Sequence, residues 1–181
     1  MRRFGWLIGA LLAMVGGILV LAMSASAQDT PRVELSAGYS YFRVGTSGRG
    51  NFHGGSVSVV GNLTNWFGLV ADVGGYHASA QGAGVNLITY QVGPRISFRS
   101  HSRVTPFAQV LAGGAHLTAS GALSGSANAF AYSAGGGVDI RVSDNIAIRA
   151  LQVEYVGLRS QGETQGNGRA SAGIVFRFGR K

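Results

Sequence analysis

Hydrophobic and polar positions alternate with period two along most of the chain, most plainly near its end. In Arg169-Ala170-Ser171-Ala172-Gly173-Ile174-Val175-Phe176-Arg177-Phe178 the even positions are Ala, Ala, Ile, Phe and Phe, and the odd ones are small or charged apart from Val175. Side chains of a strand point alternately to opposite faces, so this segment reads as a strand with one greasy face. The same alternation predicts eight strands, over 32–43, 52–62, 66–77, 85–98, 104–118, 128–142, 146–157 and 168–178. About 9–11 residues suffice for a tilted strand to cross a membrane. The predicted connections alternate in length. Those at 62–65, 99–103 and 143–145 are short; those at 44–51, 78–84, 119–127 and 158–167 are longer and rich in Gly, Ser, Gln and Asn.

Short turns at one end and longer loops at the other predict an all-β, eight-stranded antiparallel up-and-down transmembrane β-barrel, with the short side periplasmic. The expected outward face includes Val33, Leu35 and Ala37 of the first strand, Leu69, Ala71 and Val73 of the third, Ile88, Val92, Pro94 and Ile96 of the fourth, and Ala134, Val138, Ile140 and Val142 of the sixth. Threading the strands up and down sorts the aromatics into two girdles. Tyr39, Tyr41, Tyr90, Phe130, Tyr132 and Tyr155 fall toward the long-loop end, and Trp66, Phe67, Phe98, Phe107, Phe176 and Phe178 toward the short-turn end. Amphipathic rings favour the headgroup zone, so two belts are expected of a membrane barrel. Gly38, Gly74, Gly93, Gly135, Gly137 and Gly173 fall on the inward register, where a tightly curved sheet needs room. In the seventh strand Arg149 points inward but Gln152 and Glu154 have the opposite parity; a β-bulge near Ala150–Leu151 reconciles them.

The first residues add an address. Met1-Arg2-Arg3, an apolar run from Phe4 to Met23, and Ser24-Ala25-Ser26-Ala27 have the order of a secretory signal peptide. Residues 1–27 are expected to be removed, leaving a barrel domain over 28–181. The chain has no cysteine, hence neither a disulfide framework nor a thiolate metal site. Removing Arg2 and Arg3 lowers the formal charge from +8 to +6. The arginines are spread one per strand or turn, without a nucleic-acid-binding motif, so no nucleic acid is expected as a partner. The glycines, 30 in number, follow neither a collagen period nor a linker run, and Gly135-Gly136-Gly137 lacks the Lys-Ser/Thr and helix of a phosphate loop.

The chain resembles the OmpA-like family of eight-stranded outer-membrane β-barrels. The resemblance is carried by Val33-Glu34-Leu35-Ser36-Ala37-Gly38-Tyr39-Ser40-Tyr41, Val92-Gly93-Pro94-Arg95, Pro106-Phe107-Ala108-Gln109 and Gly173-Ile174-Val175-Phe176-Arg177-Phe178, and it covers nearly the whole mature chain. It implies residence in the bacterial outer membrane and a role in surface contacts or envelope integrity, with no common catalytic activity. It also implies outer-membrane lipid and lipopolysaccharide as surroundings, and the barrel-assembly machinery and periplasmic chaperones as partners in biogenesis. A monomer without cofactor is expected. Many members end on a terminal Phe; here Gly179-Arg180-Lys181 follow Phe178, and a periplasmic domain after the barrel is not expected.

The lumen of so small a barrel is filled by side chains, so interior charges must pair. A hairpin centred on Asp144 puts Asp139 opposite Arg149. Closure could bring Glu34 to Arg177, and the last hairpin Glu154 to Arg169. Asp72 is expected to meet Arg95 or neighbouring polar groups. Three histidines, His53, His77 and His116, fall near the long-loop ends but lack metal-ligand spacing; His101 sits in a short turn. His77-x-Ser79 raises a second reading, a lipid A-modifying enzyme, although Glu163 is the only loop acid and a hydrolase needs a group to orient its base. A third reading is a narrow porin-like channel for small solutes. A soluble lipocalin-type barrel would need the opposite sidedness, apolar inside and polar outside.

Overall fold

The computed structural model describes residues 30–44, 51–80, 83–99, 103–120, 124–160 and 163–179. The expected signal segment 1–27, His101 and the terminal Arg180-Lys181 lie outside the described residues. Eight strands follow one another: β1 (Val33–Val44), β2 (Asn51–Asn62), β3 (Phe67–Ala80), β4 (Ala83–Ser97), β5 (Val104–Ser120), β6 (Gly125–Arg141), β7 (Ile146–Ser160) and β8 (Glu163–Phe178). They form one closed barrel in sequence order, every neighbour antiparallel, with β1 zipped onto β8.

The turns at the short end are built by local hydrogen bonds. Leu63 and Thr64 both donate their amides to the Phe67 carbonyl at 3.0 Å, and Thr64 Oγ1 accepts from the Phe67 amide at 2.9 Å. Trp66 therefore belongs to the turn, and β3 begins one residue later than the alternation alone predicts. Val142 and Ser143 donate to Ile146 O in the same way. The β6–β7 register shifts between Val138 and Asp139, whose partners are Leu151 and Arg149, and the β7–β8 register between Arg149 and Gln152, so the bulge lies at Ala150–Leu151 and both Arg149 and Gln152 face inward.

The other end differs from the sequence expectation. The strands run on into what the composition marks as long loops, leaving only 45–50, 81–82, 121–124 and 161–162 between them. Connections are thus short at both ends. The Gly/Ala/Ser-rich segments carry little alternation of their own, yet they extend the ladder because their inward residues have something dry to cover. Ala78, Val85, Leu117, Ala129 and Leu158 pack on a buried cluster of Phe42, Phe52, Tyr76, Leu87, Ala115, Ala131 and Val156.

Sidedness therefore reverses along the strands. In the short-turn half the outside is apolar and the inside polar. In the outer half the inside is apolar, while the outside carries Arg43, Asn51, His53, His77, Asn86, Thr118, Asn128 and Arg159, all exposed. The outward positions assigned by the alternation keep their face; the expectation of a polar, ion-paired interior is corrected for the outer half, where the inside is apolar.

The wall is tight where glycines face one another. A Cβ on Gly38 would lie 2.3 Å from the Ala172 carbonyl oxygen, and one on Gly173 2.3 Å from that of Ala37, so the β1–β8 seam closes only with hydrogen at both positions.

Candidate functional site

Most of the buried charge of the described chain meets in the lumen, in layers. At the short-turn mouth Glu34 of β1 sits among three guanidiniums: Arg99 Nη2 at 2.8 Å, Arg177 Nε at 3.6 Å and Arg95 Nη2 at 4.0 Å. Glu34 and Arg177 are directly paired in the β1–β8 register. Arg99, which sequence reasoning left out, reaches across the mouth and also donates to Asn65 O and Asn62 Oδ1.

Above this lies Asp139. It accepts from Arg149 Nε at 2.8 Å and Nη2 at 3.1 Å, and from Arg95 Nη2 at 2.9 Å. Both guanidiniums lie against the ring of Phe107, Arg95 at 3.7 Å and Arg149 at 4.7 Å from its centroid. A cation over an aromatic face gains electrostatically from the ring quadrupole. Arg95 Nε and Nη1 lack a hydrogen-bond partner, so the aromatic face stands where a polar neighbour would otherwise be needed.

Phe107 is a correction: it belongs to the lumen, 4% exposed, and not to the short-turn girdle. Its parity is that of Thr105, Gln109 and Leu111, and the room for its ring comes from Gly137 across β6, where a Cβ would lie 2.8 Å from Phe107 Cζ. Parity, checked against Val104, Pro106, Ala108 and Val110 on the outward face, is the signal that finds it. The other girdle aromatics have outward positions. Tyr39, Phe130 and Tyr155 are exposed at the outer end, with Tyr41, Tyr90 and Tyr132 half-buried beside them. Trp66, Phe98, Phe176 and Phe178 are exposed at the short-turn end, with Phe67 half-buried.

The next layer joins Glu154 to Arg169 Nε at 2.7 Å, with Gln109 and Gln152 donating to the same carboxylate. Arg169 Nη1 continues to Asp72 at 2.9 Å and to the Tyr76 hydroxyl at 3.0 Å. Asp72 thus pairs across the lumen with Arg169 of β8; Arg95 is engaged with Asp139 and Glu34 instead. A small serine-lined cavity of about 10 Å³ adjoins this layer between Ser36, Ser58, Ser171 and Gln152, about the size of one water. Beyond Tyr76 the polar chain stops at the apolar cluster, headed by Phe42 at 1% exposure.

His53, His77 and His116 are on the outside. His77 Nδ1 pairs with Asn86 Oδ1 and His116 Nδ1 with Asn128 Oδ1, each at 2.7 Å, and His53 Nδ1 pairs with the Tyr39 hydroxyl. The Asn86 amide thus holds the Nδ1 side of His77. The side chains of Ser79 and Glu163 lie outside the described residues. Among the described residues no cluster of His, Asp and Glu is arranged to hold a metal ion.

Comparison with known proteins agrees with this architecture. Neisserial surface protein A superposes with a TM-score of 0.70 at 16% identity, over 81% of this chain and 97% of its own. Ail, the attachment invasion locus protein of Yersinia pestis, gives 0.60 at 18% identity, over 82% and 99%. The N-terminal β-barrel domain of OprF from Pseudomonas aeruginosa gives 0.54 at 19%, over 82% and 98%. At these identities the likeness is one of fold. No curated protein matches the chain in sequence. The family model of the outer membrane protein beta-barrel domain matches residues 10–178.

Proposed function

The chain belongs to the outer membrane protein beta-barrel domain family, and from that premise we propose that it is a non-catalytic envelope barrel, working through its outer surface as a structural or surface-contact protein. Its place is the bacterial outer membrane. The observation that supports the reading is the filling of the lumen: ion-paired layers below, an apolar plug above. A solute would have to break buried ion pairs and then cross a dry layer, both costly steps. With the inside occupied, what remains for function is the outside. The barrel-assembly machinery and periplasmic chaperones would be met only during biogenesis.

The test is paired. Mature protein refolded into planar bilayers should give no conductance steps, and lipid A incubated with it should keep its acyl chains by mass spectrometry. Cells lacking the protein should gain sensitivity to detergent, restored by the wild-type gene. Steady conductance, or loss of an acyl chain, would replace this reading with the channel or the enzyme.

Lipid exposure makes a separate prediction. Ala134 of β6 is exposed at mid-height, flanked by Val110 and Tyr155 on the same face. Ala134→Arg should cost about 2–4 kcal/mol by urea unfolding in bilayers. Ser126→Arg, on the polar outer rim, should be near neutral. Ala71 is a poorer probe: although its register is outward, its neighbours cover it to 3% exposure.

A further inference from the structure

The charges of the lumen do not balance, and the imbalance is local. At the short-turn end the guanidiniums of Arg95, Arg99, Arg149 and Arg177 share two carboxylates, Glu34 and Asp139. Arg141, half-buried, lies close enough to Arg177 to act on its charge, as does Arg99. The ladder explains the proximity. Arg141 pairs with Ala147 and Ala147 with Val175, which stands one inward-facing step above Arg177. Two strand spacings, roughly 10 Å, separate these positions, and two long side chains span that distance from either side. In the next layer Asp72 and Glu154 share Arg169, an imbalance of the opposite sign. Together these six guanidiniums face four carboxylates, which leaves two positive charges, gathered at the mouth.

Arg177 shows what such a surplus needs. Its side chain is 7% exposed, yet its Nε and Nη2 have no hydrogen-bond partner. These two atoms form one edge of the guanidinium. The same edge of Arg149 holds both oxygens of Asp139, at 2.8 and 3.1 Å. Glu34, 3.6 Å from Arg177 Nε, is drawn off by Arg99 at 2.8 Å. Buried donors without an acceptor are costly, and this edge suits an anion with two oxygens on one centre. We propose that the short-turn mouth binds a phosphate dianion between Arg177 and Arg141. Phosphate offers two oxygens to the Arg177 edge and others to Arg141, and its two charges match the surplus. A carboxylate brings one charge and a water none. Short turns face the periplasm, so the anion arrives from that side as a solute and seats below the Asp139 layer without traversing the barrel.

The experiment uses the mature protein refolded in maltoside micelles at about pH 8, above the second ionisation of a phosphate group. Inorganic phosphate is titrated by calorimetry, with chloride holding the ionic strength constant. The wild type should bind it at one site. Arg141→Gln should weaken binding by about tenfold, whereas Arg43→Gln, at the far end of the barrel, should leave it unchanged. Phosphate should also raise the urea midpoint of the wild type and not that of Arg141→Gln. Unheated gel migration reports whether each variant is folded. Should Arg141→Gln not fold, Arg177→Lys, which keeps the charge but loses the two-donor edge, is read in its place and should show the same loss. Micelles doped with phosphatidylglycerol form the lipid arm, and that lipid should not displace phosphate. Displacement by the lipid, equal affinity in the folded variant, or no binding to the wild type would each overturn the proposal.

Discussion

Asp139→Ala should destabilise the refolded barrel by about 3–5 kcal/mol, because it strands two buried cations at once. The carboxylate is fully buried and receives three guanidinium hydrogen bonds, two from Arg149 and one from Arg95. The sharing shapes the rescue. Adding Arg149→Met should recover only part of the loss, since Arg95 would retain only Glu34, at 4.0 Å. Adding Arg95→Met as well should recover more, the two thioethers packing against Phe107 in place of the guanidiniums. A double-mutant cycle between 139 and 149, read by urea unfolding, measures the direct coupling. Coupling near zero would mean that the two residues do not meet.

A loss of similar size, about 3–5 kcal/mol, is expected for Arg169→Met, for the reverse reason. Arg169 is the cation shared by Glu154 and Asp72, and it also donates to Tyr76. Without it two buried carboxylates remain in one layer of the lumen. Gln109 and Gln152 still donate to Glu154, so Asp72 is the more exposed to the loss. Glu154→Gln together with Asp72→Asn should restore much of the stability of the Arg169 variant. If Arg169→Met alone changed stability by less than about 0.5 kcal/mol, the ordinary range of a surface substitution, the buried bridge would not exist as described.

Features of this barrel decided within one hairpin were legible in the sequence. The turn centred on Asp144 puts Asp139 and Arg149 in register, and the parity conflict between Arg149 and Gln152 locates the bulge. Glu154 and Arg169, likewise register partners, could be read from the last hairpin. Contacts across the lumen were not legible. Asp72 and Arg169 are 97 residues apart and on strands that do not adjoin, so no ladder count relates them. The same holds for Arg99 and Glu34, 65 residues apart. Phe107 was lost by sorting aromatics by height alone, without asking which face they occupy. The outer ends of the strands were lost because Gly, Ala and Ser carry a weak periodic signal, although Phe42, lying between outward Tyr41 and Arg43, already marks the point where the inside turns apolar.

The reversal of sidedness has a consequence for how the protein sits. One closed sheet presents hydrocarbon-compatible side chains over its lower storey and a water-compatible wall with a dry centre over its upper one. Sinking by a few ångströms would drag His77 and Asn86 among acyl chains; rising by as much would lift Phe98 and Phe178 out of the lower interface. Both displacements meet a restoring force, so the vertical coordinate of the barrel is written into its own strands. The upper storey, holding its own core, can then project as a rigid stub whose height above the bilayer is constant from one copy to the next.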